Sequence, residues 1–223
     1  MSVATKIQSL DIEFANIRIG RVLLGVLVAI YQLVVYEGLS VYNSLRLSQS
    51  SNLWNISTQL DEMVPLVPEF AWIYFTYIPA LIFPALLNLP FALFIRYAIA
   101  LVLAVTLSGI CFAVLPVIYV HTPFNCQELS CSALALLRSI DSGTNILPSL
   151  HASQSLLAVI ALAYSGLRIG QLPIFILLAI IWYLPIIAST LFTHQHYVVD
   201  LIAGFVVAII CWKLAEKINS GVL

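Results

Sequence analysis

Charge is what this chain has least of. Only 9% of its 223 residues are Asp, Glu, Lys or Arg, while 62% are hydrophobic. A soluble domain carries about 25% charged residues, so no water-facing surface of ordinary size can be assembled, and a soluble globule or a disordered chain is excluded. Neither sign is in excess. Nine basic residues against ten acidic ones leave no cationic face for a phosphate backbone, which excludes a nucleic-acid partner. Cysteine is also scarce, at four residues, too few for a disulfide-dense secreted module. What remains is an integral membrane protein.

The cysteines divide by location. Cys111 and Cys211 lie in apolar runs, where a free thiol behaves as a small hydrophobe. Cys126 and Cys131 share a polar connection and can close a small disulfide loop in an oxidising compartment. No Cys or His spacing suggests zinc, so neither a metal nor another cofactor is expected. Residues 1–21 mix Lys6, Asp11, Glu13, Arg18 and Arg21 with apolar positions and read as an amphipathic cytoplasmic segment. They lack the apolar middle region of a cleavable signal peptide. Residues 22–223 then form a single membrane domain.

A helix needs roughly 20 apolar residues to cross the hydrocarbon. Stretches of about that length predict six spans: Val22–Tyr36, Phe70–Leu87 (with Pro79 and Pro84 as kinks), Phe91–Val120, Ile146–Leu167, Leu172–Phe192 and Tyr197–Trp212. Polar loops are expected at Glu37–Glu69 and His121–Asn145. The fold class is therefore an all-α six-transmembrane-helix bundle. Basic residues orient it. With both termini cytoplasmic, Lys6, Arg18, Arg21, Arg96, Arg168, Lys213 and Lys217 lie inside, and only Arg46 and Arg138 outside. Trp54, Trp72, Tyr74 and Tyr77 read as interfacial anchors.

Polar residues at the span ends need a separate explanation, because a lipid-embedded bundle has no use for ionisable groups. Pro148-Ser149-Leu150-His151 opens the fourth span, and Ser189-Thr190, followed by His194, His196 and Asp200, crosses the turn between the fifth and sixth. Hairpin parity puts both clusters at the extracytoplasmic face. His196 and Asp200 are four apart, one helical turn, so the carboxylate can hold the proton on one imidazole nitrogen and leave the other basic. His151 brings a second imidazole, and Ser149 and Ser189 bring hydroxyls. Three readings stay open from the residues alone: polar anchors at the interface, an enzymatic site, or a proton-relaying transporter.

At these residues the chain resembles the type 2 phosphatidic acid phosphatase (PAP2) superfamily. Pro148-Ser149-Leu150-His151 is similar to its Pro-Ser-x-His motif, and Ser189-Thr190-x5-His196-x3-Asp200 to its Ser-Arg-x5-His-x3-Asp motif, over about 70–212. The resemblance implies metal-independent phosphoryl transfer. His196 attacks phosphorus to give a phosphohistidine, Asp200 raises its nucleophilicity, and His151 protonates the leaving oxygen. Ser149, Ser189 and Thr190 would bind substrate. Leu150 stands where glycine is usual and Thr190 where arginine is usual, and no Lys-x6-Arg-Pro motif lies upstream, where Leu115–Phe124 holds His121 but no lysine or arginine. Arg138, the only cation in the loop before His151, either supplies a clamp for the phosphate or is an ordinary surface arginine.

The departures look most like the inositol phosphorylceramide synthase branch, on Ser189-Thr190-x3-Thr193-x-Gln195-His196-Tyr197-x2-Asp200 and Val64-Pro65-x2-Pro68. The expectation is a lipid phosphatase acting on a lipid phosphate or diphosphate among the membrane lipids. The alternative is a phosphotransferase that moves a phosphorylated head group to an acceptor lipid alcohol.

Overall fold

The computed structural model describes residues 3–49, 54–87, 89–115, 117–121, 123–141 and 143–220. Among these every regular element is a helix: α1 (Val3–Gln49), α2 (Gln59–Glu62), α3 (Phe70–Tyr74), α4 (Tyr77–Leu86), α5 (Phe91–Val114), α6 (Leu129–Ile140), α7 (Leu150–Ile169), α8 (Leu172–Phe192) and α9 (Val198–Ser220). A single bridge between Trp54 and Val117 is the only β-type pairing among the described residues.

Five helices are long and apolar enough to cross a membrane: Ile19–Arg46 of α1, and most or all of α5, α7, α8 and α9. The expected span at Phe70–Leu87 is different in form. Its apolar helical stretch, Phe70–Pro84, is short and divided. Fifteen helical residues would reach about 22 Å, less than the roughly 30 Å of hydrocarbon. The division falls at Phe75 and Thr76, not at a proline. The cause is nevertheless Pro79, whose ring would clash with the carbonyl four residues earlier, that of Phe75. Thr76 then donates its hydroxyl to the Ile73 carbonyl at 2.7 Å.

Three other expectations are corrected. The first span does not end at Tyr36, because α1 runs on through Glu37 to Gln49 and much of the expected polar loop is helix. The third ends at Val114 and the fourth begins at Leu150, where Ser149 caps it. The expected loop at His121–Asn145 contains α6, an amphipathic helix whose Ala133, Leu134 and Leu137 pack on Ala71 and Tyr74 of α3. The Cys126–Cys131 disulfide, formed over a Cα–Cα distance of 5.9 Å, closes the turn into α6.

The core lies where α5, α7 and α9 cross, with α4 and α8 against them. It is rich in alanine: Ala100, Ala104, Ala158, Ala161, Ala208 and Ala215 are all fully buried. Small residues matter more here than in water, since lipid tails are as apolar as leucine and close backbone approach supplies the attraction. Gly170, at φ +69°, ends α7 in the left-handed conformation that favours glycine and turns the chain into α8.

Candidate active site

The two clusters singled out in the sequence meet. Ser149 is the N-cap of α7, accepting a hydrogen bond from the Ala152 amide at 3.3 Å. Its own amide donates to the Asp200 carbonyl at 3.0 Å, which joins the start of α7 to the first turn of α9. Gly204, one turn further along α9, explains how close the helices come. A Cβ there would lie 2.5 Å from the Ser149 carbonyl oxygen and 3.0 Å from the Ala152 Cβ, so no other residue fits without moving backbone.

Asp200 is fully buried and its two oxygens do different things. Oδ2 accepts the Tyr197 amide at 2.9 Å, capping α9 from within its first turn, where the helix dipole favours a carboxylate. Oδ1 lies 3.1 Å from His196 Nδ1. That is ion-pair range, although the N–H is not aligned for a hydrogen bond and neither atom has another partner. Such contacts often tighten only when substrate is present. Burial opposes charging the His196 imidazole, but the Asp200 carboxylate outweighs it, and the pKa of His196 is raised above its ordinary value.

With Nδ1 facing the carboxylate, His196 Nε2 is the nitrogen left with a lone pair. It points at His151 Nδ1 across 3.2 Å and lies 3.4 Å from Ser149 Oγ. The tautomer decides which ring donates: where His196 carries its proton on Nδ1, His151 is the donor and His196 Nε2 the acceptor. The arrangement has the parts of a nucleophile oriented by a carboxylate, next to a second imidazole able to give up a proton.

The other expected substrate-binding residues sit differently. Ser189 and Thr190 are buried, and their hydroxyls donate to carbonyls of their own helix, at Ile186 (2.7 Å) and Ile187 (2.8 Å). Thr190 instead acts through its carbonyl, which accepts the amides of Gln195 (3.0 Å) and His196 (3.2 Å) and so holds the turn that carries His196. His194, at φ +55°, occupies the left-handed position of that turn and donates through Nε2 to the Val64 carbonyl at 3.0 Å. Arg138, in the last turn of α6, stacks its guanidinium 4.9 Å over the Phe124 ring. It lies near His121, whose pKa is held below its ordinary value by burial first and the Arg138 charge second. His121 in turn lies 5.4 Å from Tyr119, which stacks on Tyr197 at 4.4 Å. Arg138 thus stands one layer out from the histidine pair.

Several contributors were missed in the sequence. Tyr74 and Tyr77, expected as interfacial anchors, are buried with their rings 4.5 Å and 4.1 Å from that of His151. Asp61, expected in a free polar loop, accepts the Val198 amide at the start of α9 through Oδ1 (2.7 Å) and holds Thr58 through Oδ2. The Val67 amide donates to the Phe192 carbonyl at 2.8 Å, so this segment is laid over the site. Gln195, next to His196, is buried with neither amide atom bonded. Leaving such a group unmade costs about 1–3 kcal/mol, and it can donate to or accept from a bound ligand. The sequence placed it in the motif around His196 but gave it no role of its own.

Among the described residues, no group of three or more His, Cys, Asp or Glu could hold a metal ion. No curated protein and no solved structure matches the chain. Residues 85–220, more than half of it and including every residue of both motifs, match the PAP2 superfamily, whose members are phosphatases or phosphotransferases. With the motif histidines and aspartate brought into contact and the family match spanning α5 to α9, this integral membrane protein belongs to the PAP2 superfamily.

Proposed function

We propose that this chain is a lipid phosphatase that cleaves a lipid phosphate or diphosphate at the extracytoplasmic face through a phosphohistidine. The observation that carries this reading is the run of contacts from Asp200 Oδ1 to His196 Nδ1 (3.1 Å) and from His196 Nε2 to His151 Nδ1 (3.2 Å). Asp200 keeps the proton on Nδ1, so the Nε2 lone pair attacks phosphorus. As the P–O bond to the lipid breaks, His151 gives its proton to the leaving oxygen. Water then attacks the phosphohistidine, with His151, now neutral, taking up the water's proton.

The site is reached from the outer leaflet if α3–α4 counts as a short sixth crossing. Both termini are then cytoplasmic, as the seven basic residues on that side against two outside support. The membrane domain is then one unit, preceded by the amphipathic residues 1–21.

A second reading has an observation of its own. Thr190 stands where a guanidinium would clamp a dianion, and its hydroxyl is turned to Ile187. A phosphodiester carries one negative charge where a monoester carries two, so a site poor in cations suits transfer of a phosphorylated head group to an acceptor lipid alcohol, as in the inositol phosphorylceramide synthase branch.

The deciding experiment uses purified protein in proteoliposomes, given lipid monophosphates, diphosphates and phosphodiesters, each with and without a ceramide acceptor. Phosphate release independent of acceptor supports the phosphatase; product only with acceptor supports the transferase. Chelator should leave either activity intact. Acid-labile, base-stable phosphate on the wild type and none on His196→Ala identifies the intermediate. Full turnover by His196→Ala would overturn both readings.

A further inference from the structure

The two tyrosines over His151 are tied down by separate polar networks, and each network ends on α1. The Tyr74 hydroxyl donates to Asp141 Oδ2 at 2.8 Å, and Tyr36 of α1 donates to Oδ1 at 2.9 Å. The Gly143 amide adds the third bond to this carboxylate, at Oδ1 and 3.2 Å. Tyr77 donates to Gln154 Oε1, and the Gln154 amide donates to Gln32 of α1 at 3.1 Å. Gln32 and Tyr36 are one turn apart on the same face of α1.

Asp141 is buried, which is costly for a carboxylate unless several donors satisfy it. A cheaper residue would serve if packing were all that was needed. A neutral imidazole would be packed as well by aliphatic side chains as by two anchored tyrosine rings. A protonated one would not, because a ring face attracts a cation within about 6 Å of its centroid. Both centroids lie well inside that distance of the His151 ring.

We infer that Tyr74 and Tyr77 form an aromatic clamp that stabilises the protonated imidazole of His151, with Asp141 as the positioning residue that holds Tyr74 against it. The inference rests on the reading of His151 as the acid. In the first step His196 Nε2 bonds to phosphorus, the P–O bond to the lipid breaks, and the His151 proton passes to the leaving oxygen. The lipid departs as a neutral alcohol and His151 is left neutral. The clamp therefore acts only while His151 carries the charge, and only for a leaving group that needs the proton.

Two substrates separate these cases: hexadecyl phosphate, whose alkoxide must be protonated, and nitrophenyl phosphate, whose phenolate leaves unaided. Phosphate release is measured for wild type, Tyr74→Leu, Tyr74→Phe, Asp141→Asn and His151→Ala. Tyr74→Leu is expected to lower kcat/KM on hexadecyl phosphate by roughly tenfold, the scale of a desolvated cation–π contact, and to leave nitrophenyl phosphate near wild type. Tyr74→Phe and Asp141→Asn should lose less, with the same selectivity, and they carry the comparison should Tyr74→Leu fail to fold. His151→Ala should lose more than any of these, and more on the alkyl substrate than on nitrophenyl phosphate, where only its part in deprotonating water is removed. An equal loss on both substrates in the tyrosine and aspartate variants, with His151→Ala still selective, would reduce the clamp to packing and overturn the inference. An equal loss on both in His151→Ala itself would overturn the acid assignment instead. A wild type that releases phosphate from neither substrate would overturn the hydrolytic reading, and the clamp with it.

Discussion

The region that carries the motifs and the helix that precedes it are held in place by different forces. In the spanning part of α7, 67% of residues are buried, wedged among the alanines of α5 and α9, with the Ser149 amide bonded to the Asp200 carbonyl of α9. In the spanning part of α1, 6% of residues are buried, and a row of side chains such as Leu27 and Val34 faces lipid. In water burial of its apolar face would bind α1 to the bundle; in lipid that term is lost, and close packing is left to one face, where Val35 and Leu39 lie against Gly109 of α5. Beside that packing, α1 is held by a polar stripe. Arg21 donates to the Leu89 carbonyl (2.6 Å), Asn43 to the Phe112 carbonyl (3.1 Å) and to Asn145 (3.0 Å), and Arg46 to the Ala113 carbonyl (2.9 Å), with the bonds of Gln32 and Tyr36 between them. The reactive groups come from close packing, and the rings around them are steadied from a helix attached by hydrogen bonds.

The largest effects should come from the close-packed side. Replacing His196 by Ala should abolish turnover, and Asp200→Asn should leave a trace, roughly four orders of magnitude down, the scale of losing the carboxylate that orients a catalytic imidazole. Wild-type activity in Asp200→Asn, measured by phosphate release on protein of unchanged melting temperature, would mean that the carboxylate only caps α9.

Gly204→Ala should come next. Its Cβ would meet the Ser149 carbonyl at 2.5 Å. Overpacking of this kind costs about 1–3 kcal/mol, and a shift of about 1 Å between α7 and α9 separates the histidine pair enough to cost roughly a hundredfold in rate. Both losses should appear together, one by thermal unfolding in detergent and one by kinetics. A normal rate would show that α7 and α9 have more room than the contact distances allow.

Arg138 offers a middle case, one layer out. Arg138→Ala is expected to lower kcat/KM by roughly tenfold, with partial recovery in Arg138→Lys, since an ammonium keeps the charge but loses the planar fork and much of the stack on Phe124. Unchanged kinetics in Arg138→Ala would confine the residue to structural stacking.

The smallest effects should come from α1, and they test the comparison itself. Tyr36→Phe removes one of three donors on Asp141 and should cost about 1–2 kcal/mol of stability. Val34→Ala, on the lipid face at 65% exposure, should stay within about 0.5 kcal/mol. Equal shifts in unfolding midpoint for the two would mean that α1 is not held by its polar stripe.

The candidate site was legible in the sequence because its logic is local. His196 and Asp200 are four residues apart and meet across the start of α9, although only Asp200 lies within the helix, Pro148 to His151 sit at a helix start, and charged or polar groups at the ends of apolar stretches have few structural excuses. The helices were legible for a similar reason: composition alone commits them to lipid. The lengths were less so. Glu37 looked like the end of a span, yet α1 continues past it to Gln49, because glutamate is a good helix former and this one, exposed, does not interrupt the backbone. The break before Pro79 falls four residues upstream of the proline, where its ring would collide with a carbonyl.

What the sequence determined by itself is the solvent the protein lives in, the presence of an imidazole–carboxylate pair on one turn, and the family to which that pair belongs. Tertiary structure alone decided the surroundings of His151. Tyr74 and Tyr77 are as well suited to a lipid interface as to a buried ring stack, and only the docking of α6 on α3 and of α1 on Asp141 and Gln154 selects the stack. The need for glycine at 204 likewise comes from a carbonyl on another helix. Periodicity along a chain records which face of a helix is apolar, whereas these roles depend on which distant atom the fold brings within 3 Å, and no local pattern carries that distance.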